Sequence, residues 1–341
     1  MSISPRNPAV AVVGATGAVG IEILRCLEQR NFPVGDIRLL ASARSAGRTL
    51  PFAGREVAIE TLTEDSFKGI DVALFSAGAS ISRRYAPIAV EAGAVVVDNS
   101  SAFRMEPQVP LVVPEVNGET TGKHAGIIAN PNCVAAIMVM ALAPLHRARP
   151  IRRVHAATYQ SASGAGAAAM EELRQATAAY LADRPFEHKV LPHPYAFNLF
   201  SHNAAIDEET GYNGEELKAM AETRRILGTP DLPISITCIR VPVLRAHSIA
   251  LTIEFDQPLA PEEARALLAK APGVALVDDR SANHFPMPSE ASGRDDVLVG
   301  RIRRDIGDPS GRSIALFVSG DQLLKGAALN AVQIAEQLFP R

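Results

Sequence analysis

The sequence contains few cysteines, little excess of one charge over the other and only short apolar runs. The 341 residues contain three cysteines, Cys26, Cys133 and Cys238, which are odd in number and widely separated. Such cysteines fit reduced thiols better than a disulfide framework, and none forms a CxxC pair. The histidines also lack HExxH spacing. The sequence therefore predicts neither a disulfide scaffold nor a metal site.

Charge and hydropathy exclude two kinds of partner. The net charge is -3, and scattered lysines and arginines give no basic patch of the kind that nucleic acid requires. The longest apolar stretch, 134–145, is shorter than the roughly 20 residues that cross a bilayer. The opening "MSISPRNP" lacks a basic region ahead of an apolar one, so no signal peptide is expected. We expect a cytoplasmic protein with no nucleic-acid or membrane partner.

Short apolar runs alternate with helical patterns through the first third of the chain. Strand, helix and strand at this spacing imply right-handed crossovers and a parallel sheet. We therefore expect an α/β fold with an N-terminal, doubly wound parallel sheet of the Rossmann type. The apolar runs lie at 9–15, 37–43, 71–78 and 94–100, and the helical patterns at 19–32 and 80–92.

The pattern changes after Cys133. Long alanine-rich helical patterns are mixed there with alternating strands such as "SITCIRVPV" and "SIALTIEF". A chain of 341 residues suffices for roughly two domains. We place the boundary near residue 132 and expect a mixed α+β second domain. The amphipathic pattern of 326–339 predicts a C-terminal helix that returns to the first domain.

The segment "GATGAVG", residues 14–20, follows a predicted strand and opens a predicted helix. Glycines in that place let the backbone approach a pyrophosphate, although glycine-rich turns also occur for packing. The next strand ends in "ASARSAGR", without the Asp or Glu that commonly holds the ribose of NAD. Ser42, Arg44 and Ser45 are therefore candidates for a 2′-phosphate. The alternative is a solvated arginine on a loop.

Two side chains are candidates for covalent chemistry. A helix that begins just after Cys133 would aim peptide N–H groups at the sulfur and favour the thiolate. The alternative is a small buried hydrophobe, which is also what we expect of Cys26 and Cys238. His247 lies in "CIRVPVLRAHS", an apolar strand that ends in Arg and His, where packing gives no reason for an imidazole. A histidine in such a place is more often structural than catalytic.

Seven motifs in order give the sequence a family resemblance. They are "GATGAVG", "SSAFRM", "ANPNC", "YQSASGAG", "EELKAMAETRRIL", "IRVPVLRAHS" and "LLKGAALNAVQIAE". Together they resemble aspartate-semialdehyde dehydrogenases along nearly the whole chain. The resemblance implies an NADP-binding domain, 1–132, completed by a C-terminal segment, 321–341, and a catalytic and dimerisation domain, 133–320. It implies reduction of L-aspartyl-4-phosphate to aspartate semialdehyde and phosphate by a homodimer, for lysine, threonine and methionine synthesis.

The resemblance also implies roles for single residues. Cys133 would be the thioester-forming nucleophile and His247 the acid and base. Gln160 would orient the nucleophile, and Asn132 precedes it as in the family. The implied substrate ligands are Arg104 and Lys218 for phosphate, Arg240 for the carboxylate and Glu215 for the ammonium group. The implied cofactor contacts are Gly14, Ala15, Thr16, Gly17, Ala18, Val19, Ser42, Arg44, Ser45, Ser163, Gly164 and Gln322.

The sequence departs from the family pattern in three places. Val134 and Ala135 follow the cysteine in place of Ser or Thr, Ala246 replaces the glycine before the histidine, and Gln322 replaces an asparagine. Two other functions stay open at this point. One is a non-catalytic paralogue that acts as a binding or assembly protein, and the other is a reductase of another acyl phosphate, such as N-acetylglutamyl phosphate. The acetylated amine of the latter would leave Glu215 without its ammonium partner.

Overall fold

The computed structural model describes residues 7–340, which form two compact units. Within that range, one unit contains the residues up to Asn132 together with those from Ala327 onward, and the other contains Cys133–Gly326. Most of the "MSISPRNP" segment, residues 1–6, lies outside the described range. No helix of residues 7–340 is both long and apolar enough to span a bilayer.

The first unit is built on a seven-stranded sheet. Its central strand has the sequence AVAVV and is buried along almost its whole length, as is typical of a parallel strand covered on both faces. The strands are β1 (Ala9–Val13), β2 (Asp36–Ala41), β3 (Thr49–Phe52), β4 (Arg55–Thr61), β5 (Val72–Phe75), β6 (Val95–Asp98) and β7 (Ile127–Ala129). The helices between them are α1 (Ala18–Gln29), α2 (Ala79–Glu91) and α3 (Pro114–Asn117).

The strand order of this sheet is β3-β4-β2-β1-β5-β6-β7. All neighbours are parallel except β3 and β4, which form an antiparallel hairpin at one edge. The chain leaves β1 toward β2 on one side and later returns to place β5 on the other. Ligands of open parallel sheets bind at the carboxyl ends of the strands where the order reverses in this way. The predicted Rossmann-type fold is confirmed, and its switch point follows β1.

The second unit is built on a mixed seven-stranded sheet with the order β12-β13-β14-β11-β8-β10-β9. Its strands are β8 (Ile151–Gln160), β9 (Phe200–Ser201), β10 (Ile234–Arg240), β11 (His247–Phe255), β12 (Val274–Leu276), β13 (Val297–Arg304) and β14 (Ser313–Gly320). Its helices are α4 (Cys133–Ala148), α5 (Ala167–Leu181), α6 (Gly214–Leu227), α7 (Pro261–Leu268) and α8 (Pro288–Ala291). The predicted α+β character is confirmed.

Helix α4 is apolar on all sides, because it packs against α6, α7 and the sheet. Three adjacent strands of the sheet, β10, β8 and β11, bring three polar side chains to one edge. Arg240 pairs with Gln160 across the parallel strands β10 and β8, and each is the last residue of its strand. His247 is the first residue of the antiparallel strand β11, next to the pair Ser248 and Tyr159. The strand register therefore gathers these three residues.

The C-terminal segment divides at a π-helical turn, Leu324–Ala328, which precedes helix α9 (Leu329–Leu338). Arg30 donates two hydrogen bonds to Glu336 of α9, at 3.0 and 2.7 Å, and this helix belongs to the first unit. The segment that we expect to complete the first domain begins at residue 321, whereas the first unit resumes at Ala327. Asp321 accepts hydrogen bonds from Arg245 and the Gly293 peptide, both at 2.6 Å, and these hold residues 321–326 in the second unit.

Helix α6 begins with a complete capping box. The Asn213 Oδ1 accepts from the peptide N–H groups of Glu215 and Glu216, both at 3.0 Å, and Glu216 accepts from the Asn213 N–H at 2.8 Å. Glu216 also accepts from the Cys238 N–H of β10 at 2.8 Å. These bonds fix the start of α6 to the sheet and set the position of Glu215.

We expect Asn213→Ala to lower the free energy of unfolding by about 0.5–2 kcal/mol, the usual cost of losing an N-cap. The measurement is the urea midpoint at unchanged slope. Glu209→Ala, at an exposed position just before α6, is the control and should leave the midpoint unchanged. Equal midpoints for Asn213→Ala and wild type would show that the capping box does not stabilise α6.

Candidate active site

The glycine-rich loop after β1 packs closely against the protein backbone at the switch point. Gly14 has a φ of +85°, and a side chain there would collide with the Ser76 carbonyl oxygen. A side chain at Gly20 would collide with the Gly14 carbonyl oxygen. Helix α1 begins at Ala18 after Gly17, which has no side chain to cap it. First-turn N–H groups of a helix suit a phosphate group, and the assignment of this loop to a pyrophosphate stays a prediction.

The carboxyl end of β2 presents a cation and two hydroxyls. Strand β2 ends at Ala41, and a 3₁₀ turn, Ala43–Ser45, follows. Ser42 and Arg44 are exposed and Ser45 is half-buried, and no acidic residue lies between β2 and Ser45. This chemistry suits a doubly charged phosphate better than a bare ribose diol. The assignment of these residues to a 2′-phosphate stays a prediction.

Cys133 is the first residue of α4 and is half-buried, whereas Cys26 and Cys238 are buried in α1 and β10. None of the three forms a disulfide. The positive end of the helix dipole favours a thiolate at Cys133. Burial raises the pKa of the Cys238 thiol to about 12, so this cysteine stays protonated at neutral pH. A side chain at Gly326 would come within 2.8 Å of the Cys133 Cβ, so the π-helical turn packs closely on the cysteine.

Gln160 and Glu215 are joined by a buried hydrogen bond. The Gln160 Nε2 donates to the Glu215 carboxylate at 3.1 Å, and the Thr158 hydroxyl donates to the Gln160 Oε1 at 3.1 Å. These bonds fix the amide orientation of Gln160. Lys218 lies one helical turn after Glu215 on α6 and is exposed. The structure thus joins Gln160 to Glu215, and Lys218 lies on the same helix three residues later.

Arg240 is buried, and each of its nitrogens has a protein partner. The Nη2 donates to the His202 Nε2 at 2.8 Å, Nε to the Asn203 Oδ1 at 3.4 Å, and Nη1 to the Ser161 carbonyl at 3.3 Å. Burial first, and then the charge of Arg240, lower the pKa of His202 to about 4, so its ring is neutral and accepts this bond. Motif analysis missed His202, because 38 residues separate it from Arg240 and no sequence pattern links them.

His247 is completely buried. Its Nδ1 lies 3.1 Å from the Ser161 peptide nitrogen and 3.0 Å from the Ser161 Oγ. Its Nε2 is a buried atom with no hydrogen-bond partner among residues 7–340. Burial first, and then the charge of Arg240, hold the pKa of His247 well below its usual range. The ring is therefore neutral at pH 7, and it lies within β11 rather than beyond a strand.

Three residues assigned to the cofactor by resemblance lie beside His247. A Cβ on Gly164 would be 3.0 Å from the His247 Nε2 and 3.2 Å from the Arg240 Nη1, so the lack of a side chain lets the backbone approach both groups closely. Gln322 donates to the Ser163 hydroxyl and accepts from the Ala246 N–H at 3.0 Å. The departure at Gln322 thus has a structural role, because its amide connects Ser163 to the backbone beside His247.

Ala246 has a φ of +72°, in the left-handed region that favours glycine. This explains why a glycine precedes the histidine in the family pattern. The alanine is completely buried, and its N–H is held by Gln322. Two departures from the family pattern, Ala246 and Gln322, are therefore in direct contact.

Arg104 and Asn132 belong to the first unit, and both are buried. The Arg104 Nε donates to the Asn130 carbonyl at 2.9 Å and Nη2 to the Asn99 carbonyl at 2.7 Å. A guanidinium held in this way has a fixed orientation, as an anion ligand requires. Its assignment to a substrate phosphate stays a prediction.

Comparison with known proteins identifies the family. The family model "Semialdehyde dehydrogenase, NAD binding domain" matches residues 9–124, and "Semialdehyde dehydrogenase, dimerisation domain" matches residues 142–325. An aspartate-semialdehyde dehydrogenase of Synechocystis is 55% identical over 99% of each chain. This chain belongs to the aspartate-semialdehyde dehydrogenase family. The resemblance predicted from the seven motifs is therefore confirmed.

Other members of the aspartate-semialdehyde dehydrogenase family are also similar to this chain over nearly its whole length. One from Bacillus subtilis is 47% identical over 98% of each chain. The crystal structure of aspartate semialdehyde dehydrogenase II complexed with ASA from Vibrio cholerae has a TM-score of 0.94, 42% identity and 98% coverage of both chains. The family places an NAD-binding domain over the glycine-rich loop and a dimerisation domain over β8 to β14.

We expect iodoacetamide at pH 7 to alkylate Cys133 about 100-fold faster than Cys26 or Cys238. The reason is that the thiolate is the reactive species, and burial keeps Cys238 protonated. Mass spectrometry of the labelled peptides measures the three rates. In Cys133→Ser, the control, the other two cysteines should react at their slow wild-type rates. Equal labelling of all three in the folded protein would remove Cys133 as the reactive thiol.

Proposed function

We propose that this chain catalyses the NADPH-dependent reductive dephosphorylation of L-aspartyl-4-phosphate to L-aspartate 4-semialdehyde and phosphate. The observation that carries the proposal is the set of side chains that the second unit contains. It combines a half-buried cysteine at a helix start with the buried, hydrogen-bonded groups of Gln160, Glu215, Arg240 and His247. The names of relatives that cover nearly the whole chain support the same reaction.

Cys133 carries the covalent chemistry in this proposal. Its thiolate attacks the acyl carbon, a carbon–sulfur bond forms, and the bond from carbon to the phosphate oxygen breaks. Phosphate leaves with the electron pair of that bond, and Cys133 becomes a thioester. A bound NADPH would supply the hydride that reduces the thioester. The resulting tetrahedral adduct on Cys133 then releases the aldehyde, and the sulfur regains its thiolate.

The charges around the site match the groups of the substrate. Glu215 is the anion that suits the α-ammonium group, and Arg240 is the planar cation that suits the α-carboxylate in two places. Lys218 and Arg104 are proposed for the phosphate. An acetylated substrate has no ammonium group, so it would place an uncharged amide against the Glu215 carboxylate. The aspartyl substrate is therefore favoured over N-acetylglutamyl phosphate.

The residues of the first unit fit a dinucleotide. Side chains at Gly14 and Gly20 would collide with the protein backbone, so these glycines allow the tight turn and the close helix packing that the dinucleotide motif requires. Gly14 to Val19 would hold the pyrophosphate, and Ser42, Arg44 and Ser45 would hold a 2′-phosphate. Arg44 would pair with the charges that distinguish NADP from NAD. Ser163, Gly164 and Gln322 are proposed near the nicotinamide, on the family resemblance.

Two further parts of the proposal follow from the family. The product aldehyde would supply lysine, threonine and methionine synthesis, and the chain would act as a homodimer. One face of the sheet in the second unit supports the dimer. Side chains of β8, β10 and β14 are partly exposed on this face, and a second copy could cover them; they include Tyr159, Thr237 and Phe317.

The test of the function is NADPH formation from aspartate semialdehyde and phosphate, followed by absorbance. Activity should need phosphate and should fall below detection in Cys133→Ser. Activity with N-acetylglutamate semialdehyde in place of aspartate semialdehyde would indicate the alternative reductase. No activity with either aldehyde would favour a non-catalytic paralogue. Activity that survives in Cys133→Ser would exclude the thioester mechanism.

We expect wild type to prefer NADP over NAD by roughly 10- to 150-fold, the scale of one charge-assisted contact. Arg44→Ala should raise the KM for NADP by a similar factor and leave the KM for NAD nearly unchanged. Arg55→Ala, an exposed arginine of the same unit, is the control. Equal use of both cofactors by wild type would show that Arg44 is a surface residue without this role.

A further inference from the structure

A short edge strand places His202 beside Arg240. Strand β9 pairs with the end of β10, where Phe200 lies opposite Arg240, and the His202 N–H donates to the Cys238 carbonyl at 2.9 Å. The Arg240 Nη2 donates to the His202 Nε2 at 2.8 Å, which is the shortest hydrogen bond of Arg240 within residues 7–340. The pairing of β9 with β10 therefore builds the contact between these two side chains.

Tyr195 fixes the segment that leads into β9. Its hydroxyl donates to the Val241 carbonyl at 2.6 Å, and its buried ring lies 5.4 Å from the ring of Phe200. Val241 directly follows Arg240 in the chain. The segment that carries His202 is thus tied to the backbone on both sides of Arg240, so the imidazole has little freedom to withdraw from the guanidinium.

The hydrogen-bond partners of Arg240 are all uncharged. Besides His202, they are the Ser161 carbonyl at 3.3 Å and the Asn203 amide oxygen at 3.4 Å. Among residues 7–340, no carboxylate forms an ion pair with this buried guanidinium. Buried charges are normally paired. Arg240 therefore keeps an unneutralised charge, as an arginine that binds an anionic ligand requires.

The contact needs a neutral ring at His202. A guanidinium only donates, so the His202 Nε2 accepts this bond. The Ala204 peptide N–H, which also only donates, lies 3.2 Å from Nδ1. A charged imidazole carries a proton on both nitrogens and could accept neither bond, whereas a neutral one accepts one at a time. The Arg240 contact is shorter and has a charged donor, so it is the stronger of the two.

The surroundings of His202 favour the neutral ring. The charged groups that face it are Arg240, Glu215 and Lys218. Burial first, and then the charge of Arg240, lower the pKa of His202 to about 4, against the opposing charge of Glu215. At neutral pH His202 is an uncharged hydrogen-bond acceptor.

An uncharged acceptor suits an arginine that must bind a carboxylate. It fixes one nitrogen of the guanidinium and leaves the positive charge for the ligand. An Asp or Glu in the same place would also fix the guanidinium, but it would neutralise the charge and compete with the carboxylate of the ligand.

We propose, on the basis of the function above, that His202 is a positioning residue of the substrate site. Its uncharged hydrogen bond holds Arg240 in one orientation, so the guanidinium meets the α-carboxylate of aspartate semialdehyde with its charge intact. His202 acts through Arg240 and takes no part in the covalent chemistry at Cys133.

The test compares glutamine and glutamate at position 202, which have nearly the same shape. His202→Gln supplies an uncharged acceptor, whereas His202→Glu adds a negative charge in the same place. We expect His202→Glu to raise the KM for aspartate semialdehyde roughly 10- to 150-fold, on the scale of one charge-assisted contact. Its kcat at saturating substrate and its KM for NADP should change little, because the lost interaction is one of binding.

Two further variants complete the series. His202→Leu removes the acceptor and should raise the same KM roughly 3- to 10-fold, on the scale of one hydrogen bond, and His202→Gln should restore most of this loss. Ser201→Glu is the control for charge alone, because Ser201 is an exposed neighbour whose side chain points to the other face of β9. It should leave the KM unchanged.

A second readout does not depend on activity. NMR of the histidine rings between pH 5 and pH 8 follows the charge of His202, whose signals are those that disappear in His202→Gln. We expect the wild-type ring to stay neutral down to about pH 5. In Arg240→Leu the pKa of His202 should rise, because the charge that lowers it is removed.

Equal KM values for His202→Gln and His202→Glu would overturn the proposal, since a purely structural role does not distinguish an amide from a carboxylate. A His202 ring that is charged at pH 7 would also overturn it, because such a ring cannot accept from Arg240. A wild type without dehydrogenase activity would refute the proposed function, and a higher pKa of His202 in Arg240→Leu would still support the contact.

Discussion

The register of three strands is the constraint on which the candidate site depends. Pairing of Arg240 with Gln160 aligns the ends of β10 and β8, and the antiparallel start of β11 places His247 at the same edge. Successive side chains of a strand point to opposite faces. A slip of one residue in any of these pairs would turn a polar group to the other face of the sheet. Apolar neighbours such as Ile236, Ile249 and Leu251 are buried and would be exposed by such a slip.

Sequence periodicity predicted the kinds of elements well, because burial repeats along a strand or a helix at a fixed spacing. The predicted strand at 9–15 and helix at 19–32 correspond to β1 and α1, with ends that differ by a few residues. Periodicity does not say which strands pair. The β3–β4 hairpin at the sheet edge was missed, since its exposed residues give no apolar run.

Some residues of the candidate site could be predicted from the sequence, and others could not. Cys133, Gln160 and Arg240 were predicted, because each lies in a motif with a chemical reason for its residue type. His202 and Ser161 were not, because their roles come from contacts over 38 and 86 residues of sequence. Ala246 and Gln322 appeared in the sequence as two separate departures. In the structure the Ala246 N–H donates a hydrogen bond to Gln322, so the two residues are in direct contact.

Gly164 has a consequence for inhibitor resistance. A compound that binds against the His247 ring and the Arg240 guanidinium would lie next to Gly164, which approaches both closely because it has no side chain. The simplest way to exclude such a compound is a larger residue at 164. Even a methyl group there would come within 2.9 Å of the imidazole ring of the completely buried His247. A larger residue at 164 would therefore have to displace the His247 ring or the Arg240 guanidinium, so excluding the compound at this position would also disturb the candidate site.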